Sequence, residues 1–354
     1  MKILMLVNWK VEYIRKKSMG KQPPDYCISS EPYWFYRYFS QQPQVDVVDI
    51  SSFPWLENFE KNRLRFYVWQ TMKILPRLHQ YDLIVSHGMQ SGIVLSLWRR
   101  FFKTNAKHIV FDIGSFNSAA ETGAALKLMQ YASKSIDGII YHTSSQMDYY
   151  QQFFPWIVEK SRFIRFGTDL EFFDPRGLHE KQDANQYIIC VGYSKRDWNT
   201  VVTAWKMLNV PLRLRLVGRV IPEFQGVQGL EQIPFIPIRE LMGQIHNAAF
   251  CVLPLESFNY SYGQMTLMQQ MALGKCVITA RVPSLVDYVR DGDTAVLYTP
   301  GNAEELCEKM RELSGNPGLC RKIGSAGRRY LLEECNEMIM AREIEAYIMR
   351  VMQE

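Results

Sequence analysis

Residues 184–198 read Ala-Asn-Gln-Tyr-Ile-Ile-Cys-Val-Gly-Tyr-Ser-Lys-Arg-Asp-Trp. The run Tyr187–Val191 is continuously apolar and lacks the alternation of a half-exposed strand. A run of that kind fits a strand covered on both faces, as in a parallel sheet flanked by helices. Just before it, from Asp174-Pro175-Arg176-Gly177 to Ala184-Asn185, the chain is polar and carries the Pro and Gly of a domain junction. A second domain is therefore expected to begin here.

Strand-sized apolar runs recur on both sides of this point. Upstream they fall at 3–7, 45–50, 82–86, 108–112, 137–142 and 163–166; downstream at 187–191, 212–217, 233–236, 249–253, 275–280 and 295–298. Helical patterns separate them. Two such series predict an α/β protein of two doubly wound, Rossmann-like domains facing across a cleft. The length of 354 residues agrees, since one core stops growing at roughly 250–300. The expected division is 1–178, 185–330 and a C-terminal helix over 331–354 that returns to the N-terminal domain. In that last stretch Leu331, Leu332, Cys335, Ile339, Ile344, Tyr347, Ile348 and Val351 recur at helical spacing.

Hydrophobic residues at 47% and charged residues at 22% exclude disorder, collagen and coiled coil as overall descriptions. The net charge of +5 is unevenly distributed: 23 Lys and Arg oppose 18 Asp and Glu in residues 1–183, while 18 oppose 18 in residues 184–354. The halves are expected to face different partners. No apolar run approaches the roughly 20 residues of a membrane span, and the start offers no signal-peptide core. The seven cysteines are scattered without a C-x-x-C pair, which suits buried thiols in a reducing cytoplasm.

Two stretches interleave aromatic and basic residues, Arg63-Leu64-Arg65-Phe66 and Trp98-Arg99-Arg100-Phe101-Phe102-Lys103. They suit peripheral contact with the inner face of a membrane, or equally an ordinary amphipathic surface. No nucleic-acid module is recognisable. Walker A, G-x-G-x-x-G, H-E-x-x-H and G-x-S-x-G sequences are all absent. Asp291-Gly292-Asp293 reads as a turn, not a metal site.

Ligands of open α/β sheets bind beyond the carboxyl ends of the strands, so the cleft is the default site. Several segments around it follow a familiar order: Phe166-Gly167-Thr168-Asp169 with Phe172-Phe173-Asp174-Pro175, Cys190 to Trp198, Leu214 to Gly218, Ala249 to Glu256, Gly263 to Lys275, and Val289-Arg290-Asp291-Gly292. Together they resemble the nucleotide-binding half of the retaining glycosyltransferases of family 4 (glycosyl transferases group 1), which have the GT-B fold. The resemblance covers residues 163–330 well and the first half in outline. It implies a nucleotide-diphospho-sugar donor of UDP or GDP type, no metal and no separate cofactor. It also implies an acceptor hydroxyl (of a glycan, a glycolipid or a small glycoside) that attacks from the face the diphosphate leaves.

A departing diphosphate gains negative charge, which fixed cations and helix-start N–H groups stabilise. Lys195 and Arg196 follow a strand directly and suit that role. Gly263 precedes the helix Gln264–Leu273 and lets the backbone approach a ligand. Relatives usually carry two glutamates eight residues apart across this turn. Anchored on Met271-Ala272-Leu273-Gly274-Lys275, those positions hold Ser261 and Gln269; a second register pairs Glu256 with Gln264. Both registers stay open. Gln269 could hydrogen-bond a ribose hydroxyl, and Glu256 could supply a carboxylate. Gly192, Tyr262 and Met265 complete the donor side. Arg219 and Ile236 follow strand ends where the resemblance implies backbone contacts to the base.

On the acceptor side, Asn8 and Trp9 follow the first strand, His87 and His142 end strands, and Asp112 ends another, where relatives place a catalytic or acceptor-binding residue. A carboxylate there could orient the attacking hydroxyl or act as its base. Lys10, Arg15, Lys16, Lys17 and Lys21 outnumber Glu12 and Asp25 in the next loop, which suits an anionic acceptor or simply a solvated loop. Two alternatives remain beside a transferase: a catalytically silent sugar-nucleotide-binding subunit, and a sugar-nucleotide epimerase on the same fold.

Overall fold

The computed structural model describes residues 1–17, 20–114, 116, 121–258 and 260–354. The chain forms two compact units: Met1–Arg165 with Asn259–Ser261 and Met338–Glu354, and Phe166–Phe258 with Tyr262–Glu337.

The first unit contains β1 (Lys2–Leu6), β2 (Glu12–Tyr13), β3 (Tyr26–Cys27), β4 (Gln44–Val48), α1 (Pro54–Phe59), α2 (Val68–Ile74), β5 (Leu83–His87), α3 (Met89–Arg99), β6 (Lys107–Asp112), α4 (Ala124–Ser133), β7 (Gly138–Tyr141), α5 (Gln146–Phe153) and β8 (Ser161–Phe163). Six of these strands make one sheet in the order β4-β1-β5-β6-β7-β8, parallel throughout. Leu4, Leu6, Ile84, Ile109, Val110 and Ile139 are wholly buried, as continuous apolar strands between helices require. The short β2 and β3 pair separately.

The second unit contains β9 (Tyr187–Gly192), α6 (Trp198–Leu208), β10 (Arg213–Gly218), β11 (Leu230–Pro234), α7 (Ile238–Asn247), β12 (Phe250–Leu253), α8 (Gln264–Ala272), β13 (Val277–Ala280), β14 (Val296–Tyr298), α9 (Ala303–Gly315) and α10 (Pro317–Glu334). Its parallel sheet runs β11-β10-β9-β12-β13-β14. All twelve expected strands are present, with ends displaced by a few residues.

In each sheet the chain first builds outward on one side and then returns to the other. The reversal lies between β1 and β5 in the first unit and between β9 and β12 in the second. Crevices at such reversals are where doubly wound sheets bind ligands.

Two boundaries differ from expectation. The division falls at Arg165/Phe166, earlier than the polar junction, because Phe172 and Phe173 already belong to the second unit's core, their rings 5.1 Å apart. The helix expected over 331–352 is two helices, α10 and α11 (Glu337–Gln353). Asn336 makes the break: its Nδ2 donates to the carbonyls of Leu331 and Leu332, both at 3.0 Å, while its backbone bridges Thr168. Those bonds cap the last turn of α10, where the Cys335 N–H also donates to the Leu331 carbonyl at 3.3 Å. Beyond the break, Met338–Glu354 groups with the first unit. Tyr347 Oη accepts from the Ile139 N–H at 3.0 Å and donates to the Lys160 carbonyl at 2.5 Å. Gly138 makes room, since a Cβ there would lie 2.6 Å from that hydroxyl. The seven cysteines are free thiols. Among the described residues, no helix is long and apolar enough to cross a membrane.

Candidate functional site

At the reversal of the second unit, β9 and β10 end in paired glycines. A Cβ on Gly218 would lie 2.2 Å from the Gly192 carbonyl oxygen, and one on Gly192 would lie 2.3 Å from Arg196 Nε. The strand ends therefore approach more closely than side chains allow. The loop after β9 is tied to the loop after β12 by a bridge between Arg196 and Leu255, by Asp197 N–H donating to the Pro254 carbonyl at 2.8 Å, and by Glu256 N–H reaching the Lys195 carbonyl at 3.4 Å.

The two adjacent cations do different work. Arg196 is only 8% exposed. Its Nε donates to the Val191 carbonyl at 2.9 Å, Nη1 to the Ser194 carbonyl at 3.2 Å and Tyr262 Oη at 3.0 Å, and Nη2 to Thr266 Oγ1 at 3.1 Å. Burial lowers its pKa, with Tyr262 working in the opposite direction; an arginine nonetheless stays charged. Four of its five N–H groups hold the loop against the first turn of α8, so its role is positioning with a long-range positive field. Lys195 is half-buried in the left-handed region, φ 56°, with Nζ 3.4 Å from the Phe258 ring centroid. The ring face holds the ammonium there by cation–π attraction.

Two helices start at this point. Asp197 closes α6, its Oδ1 accepting from Thr200 N–H at 3.0 Å. α8 starts at Gly263 with no side-chain cap. Gly263 has φ 88°, and a Cβ there would lie 2.4 Å from Leu255 Cδ1, so both backbone and space call for glycine. An uncapped helix start beside Arg196 and Lys195 is a site for an anionic group.

The remaining donor candidates spread out. Gln264 is 4% exposed and turns inward, Nε2 donating to the Ser284 carbonyl at 2.9 Å. Glu256, its counterpart in the Glu256–Gln264 register, is exposed. Met265 is exposed, and Gln269 is half-buried one turn further along α8. Ser261 groups with the first unit. Arg219 is exposed after β10, and Ile236 packs half-buried on the second unit's core. The sequence reading missed Tyr262 as a hydroxyl partner of Arg196 and Phe258 as the seat of Lys195. It also missed an exposed ring pair, Tyr193 and Phe235, 5.7 Å apart after β9 and β11. The aromatic clusters around these loops were the available signal.

At the reversal of the first unit, Trp9 after β1 meets His87 at the end of β5, ring centroids 4.6 Å apart, and Trp34 lies 5.9 Å from Trp9 and 5.8 Å from His87. Trp9 Nε1 donates to the Pro24 carbonyl at 3.2 Å, and Asn8 Nδ2 to Gln90 Oε1 at 3.2 Å. Burial, then the nearby His142, pulls the His87 pKa down to about 3. Its Nδ1 has no hydrogen-bond partner among the described residues. His142 Nδ1 donates to the Ile164 carbonyl at 2.7 Å; burial takes its pKa to about 4. Both imidazoles are neutral near pH 7.

Asp112 does not have the disposition expected of a base. It is fully buried, with Oδ1 accepting from Gly114 N–H at 2.9 Å and Phe116 N–H at 3.3 Å, and Oδ2 from Gln146 Nε2 at 2.9 Å and Tyr150 Oη at 2.5 Å. These bonds shape the loop after β6. In the basic loop after β1, Lys10 pairs with Glu57 at 3.0 Å and Lys21 with Glu12. Among the described residues, no cluster of three or more His, Cys, Asp or Glu side chains could hold a metal ion.

The fold is that of the GT-B proteins. Sucrose-phosphate synthase of Thermosynechococcus elongatus superposes over the full length of both chains with a TM-score of 0.70 at 16% identity. Anabaena HepE in complex with UDP-glucose covers 99% of this chain and 100% of its own with a TM-score of 0.71 at 12% identity. Within that fold, residues 185–316 match the family model described as glycosyl transferases group 1. The D-inositol 3-phosphate glycosyltransferase of Streptomyces bingchenggensis is 34% identical over 82 residues, which is 23% of this chain and 18% of that relative.

Proposed function

We propose that the protein is a retaining, metal-independent glycosyltransferase that moves a sugar from a nucleotide-diphospho-sugar to an acceptor hydroxyl. The observation that carries this reading is the uncapped start of α8 beside Lys195 and Arg196, inside the segment that matches the glycosyl transferases group 1 model. In the proposed reaction the C–O bond to the diphosphate breaks and the acceptor oxygen bonds to the same face of the sugar, its proton leaving with the diphosphate. Lys195 and the N–H groups of α8 stabilise the developing charge, and Arg196 keeps them in register. Glu256 and Gln269 are the candidates for sugar and ribose hydroxyls. Trp9, His87, Asn8 and His142 form the proposed acceptor surface, where neutral imidazoles can exchange hydrogen bonds with hydroxyls. A uridine donor is the first to try, because the HepE structure contains UDP-glucose.

The test is a thermal-shift screen of UDP- and GDP-sugars followed by radiolabelled turnover. Binding to the folded state raises the melting temperature by mass action. Slow donor hydrolysis or transfer supports the reading, and the absence of any shift and any turnover sinks it. A specific observation keeps a second reading in the test: Ser261 and Gln269 replace the usual acids. Tight binding with no turnover would indicate a silent subunit, and conversion of free donor without acceptor an epimerase.

A further inference from the structure

We propose that the first unit docks on an anionic lipid bilayer through the turn ending α3 and the neighbouring side of α4. Phe101 is 72% exposed and Phe102 55%, with Tyr131 at 41% and Leu128 at 36% on α4. Single exposed apolar side chains are ordinary, but these form a joined surface. Phe101 and Tyr131 have ring centroids 6.3 Å apart, and Trp98 stacks on Phe102 at 4.8 Å.

The charges carried by these two segments have one sign. Arg100 sits 4.9 Å from the Tyr131 ring centroid and Lys134 sits 5.1 Å from that of Trp156. Arg100, Lys103, Lys127 and Lys134 are all exposed. No Asp or Glu occurs from Trp98 to Lys107 or from Ala124 to Lys134. The adjacent Asp137 is held by Arg99 at 2.9 Å. A bilayer with anionic headgroups satisfies both halves of this surface, taking the rings at the acyl boundary and the cations at the phosphates. A second copy fits poorly, because a two-fold contact would set the same cations against each other. The other aromatic–basic stretch, Arg63-Leu64-Arg65-Phe66, packs Phe66 on a buried cluster of this unit and presents no comparable ring. Part of the +5 excess of residues 1–183 thus acquires a location.

The test is co-sedimentation of the full chain with vesicles of phosphatidylcholine alone or mixed with phosphatidylglycerol, without sugar nucleotide, so that its failure leaves the proposed activity untouched. Binding is expected with the anionic vesicles, weakening as salt rises. Arg100→Gln with Lys103→Gln should weaken it about thirtyfold, and Phe101→Ser with Phe102→Ser by about tenfold per ring or more. All four side chains are exposed and their ring contacts lie at the surface, so the melting temperature should move little. The proposal is overturned by equal binding to neutral vesicles, by no sedimentation with either, or by variants that bind like the wild type. A concentration-dependent dimer abolished by the same variants would overturn it in favour of a second copy.

Discussion

The two units build the same kind of parallel sheet and place opposite chemistry at its reversal. Between β9 and β12 lie Lys195, the buried Arg196 and a helix start with no side-chain cap. Between β1 and β5 lie two indoles, a neutral imidazole and an amide. One crevice is organised around fixed positive charge, the other around ring faces and uncharged hydrogen-bonding groups. On the proposed reading that is the division of labour a transferase needs: charge where the leaving group forms, shape and neutral polarity where a hydroxyl compound is held.

The largest effect tests the charged side. Lys195→Gln should reduce transfer by about 100- to 1,000-fold, the cost of removing one stabilising donor from a leaving group, with little change in melting temperature because the side chain is only half-buried. Turnover like that of the wild type would leave the cationic crevice without its assigned role. Arg196→Met should act differently. It deprives the Val191 and Ser194 carbonyls, Tyr262 and Thr266 of a shared donor. A stability loss of about 2–3 kcal/mol is expected, read by chemical denaturation, with loss of donor binding following from the loosened loop. If Arg196→Met melts like the wild type, the two cations are not divided as described.

This split shows what the sequence could and could not convey. The inner strands were legible because they are short apolar runs buried on both faces, whereas the edge strands β4, β8 and β11 are only partly buried; the cations were legible because they follow such an inner run. Adjacent charges in a loop carry no mark of which one turns inward; that depends on Tyr262 and Thr266, some seventy residues away. Gln264 and Asp112 illustrate the same point: both stand at the end of an element, and both are held by side-chain hydrogen bonds to residues 20 to 38 positions away. The break at Asn336 was hidden because apolar spacing continues across it from Leu331 to Val351.

The neutral side is tested by acid. Burial holds His87 near 3 and His142 near 4, whereas an unfolded histidine titrates near 6.5. Below that value the unfolded chain binds protons that the folded one refuses. The contribution of each histidine is therefore intact above about pH 6.5 and falls as pH drops toward 4, at up to about 1.4 kcal/mol per pH unit. Unfolding free energies measured from pH 7 to 4.5 should fall less steeply for His87→Asn and for His142→Asn than for the wild type. Parallel curves would mean that the imidazoles are not held neutral, and the contrast between the crevices would weaken.

The smallest effect separates the two helix starts within the charged crevice. Asp197 fills the start of α6, its carboxylate taking the Thr200 N–H and, at 2.6 Å, the Thr200 hydroxyl. α8 has only Gly263 and leaves its first N–H groups without a side-chain cap. A ligand phosphate should therefore use α8 and ignore α6. Asp197→Ala is expected to cost about 1 kcal/mol, as loss of an N-cap does, and to lower the melting temperature by about 2–4 °C. The dissociation constant for a bound UDP-sugar should stay the same, because removing the carboxylate opens a second helix start without altering the first. If Asp197→Ala tightened donor binding, the phosphate would be reaching α6, and the anion site would have to be reassigned from one helix to both.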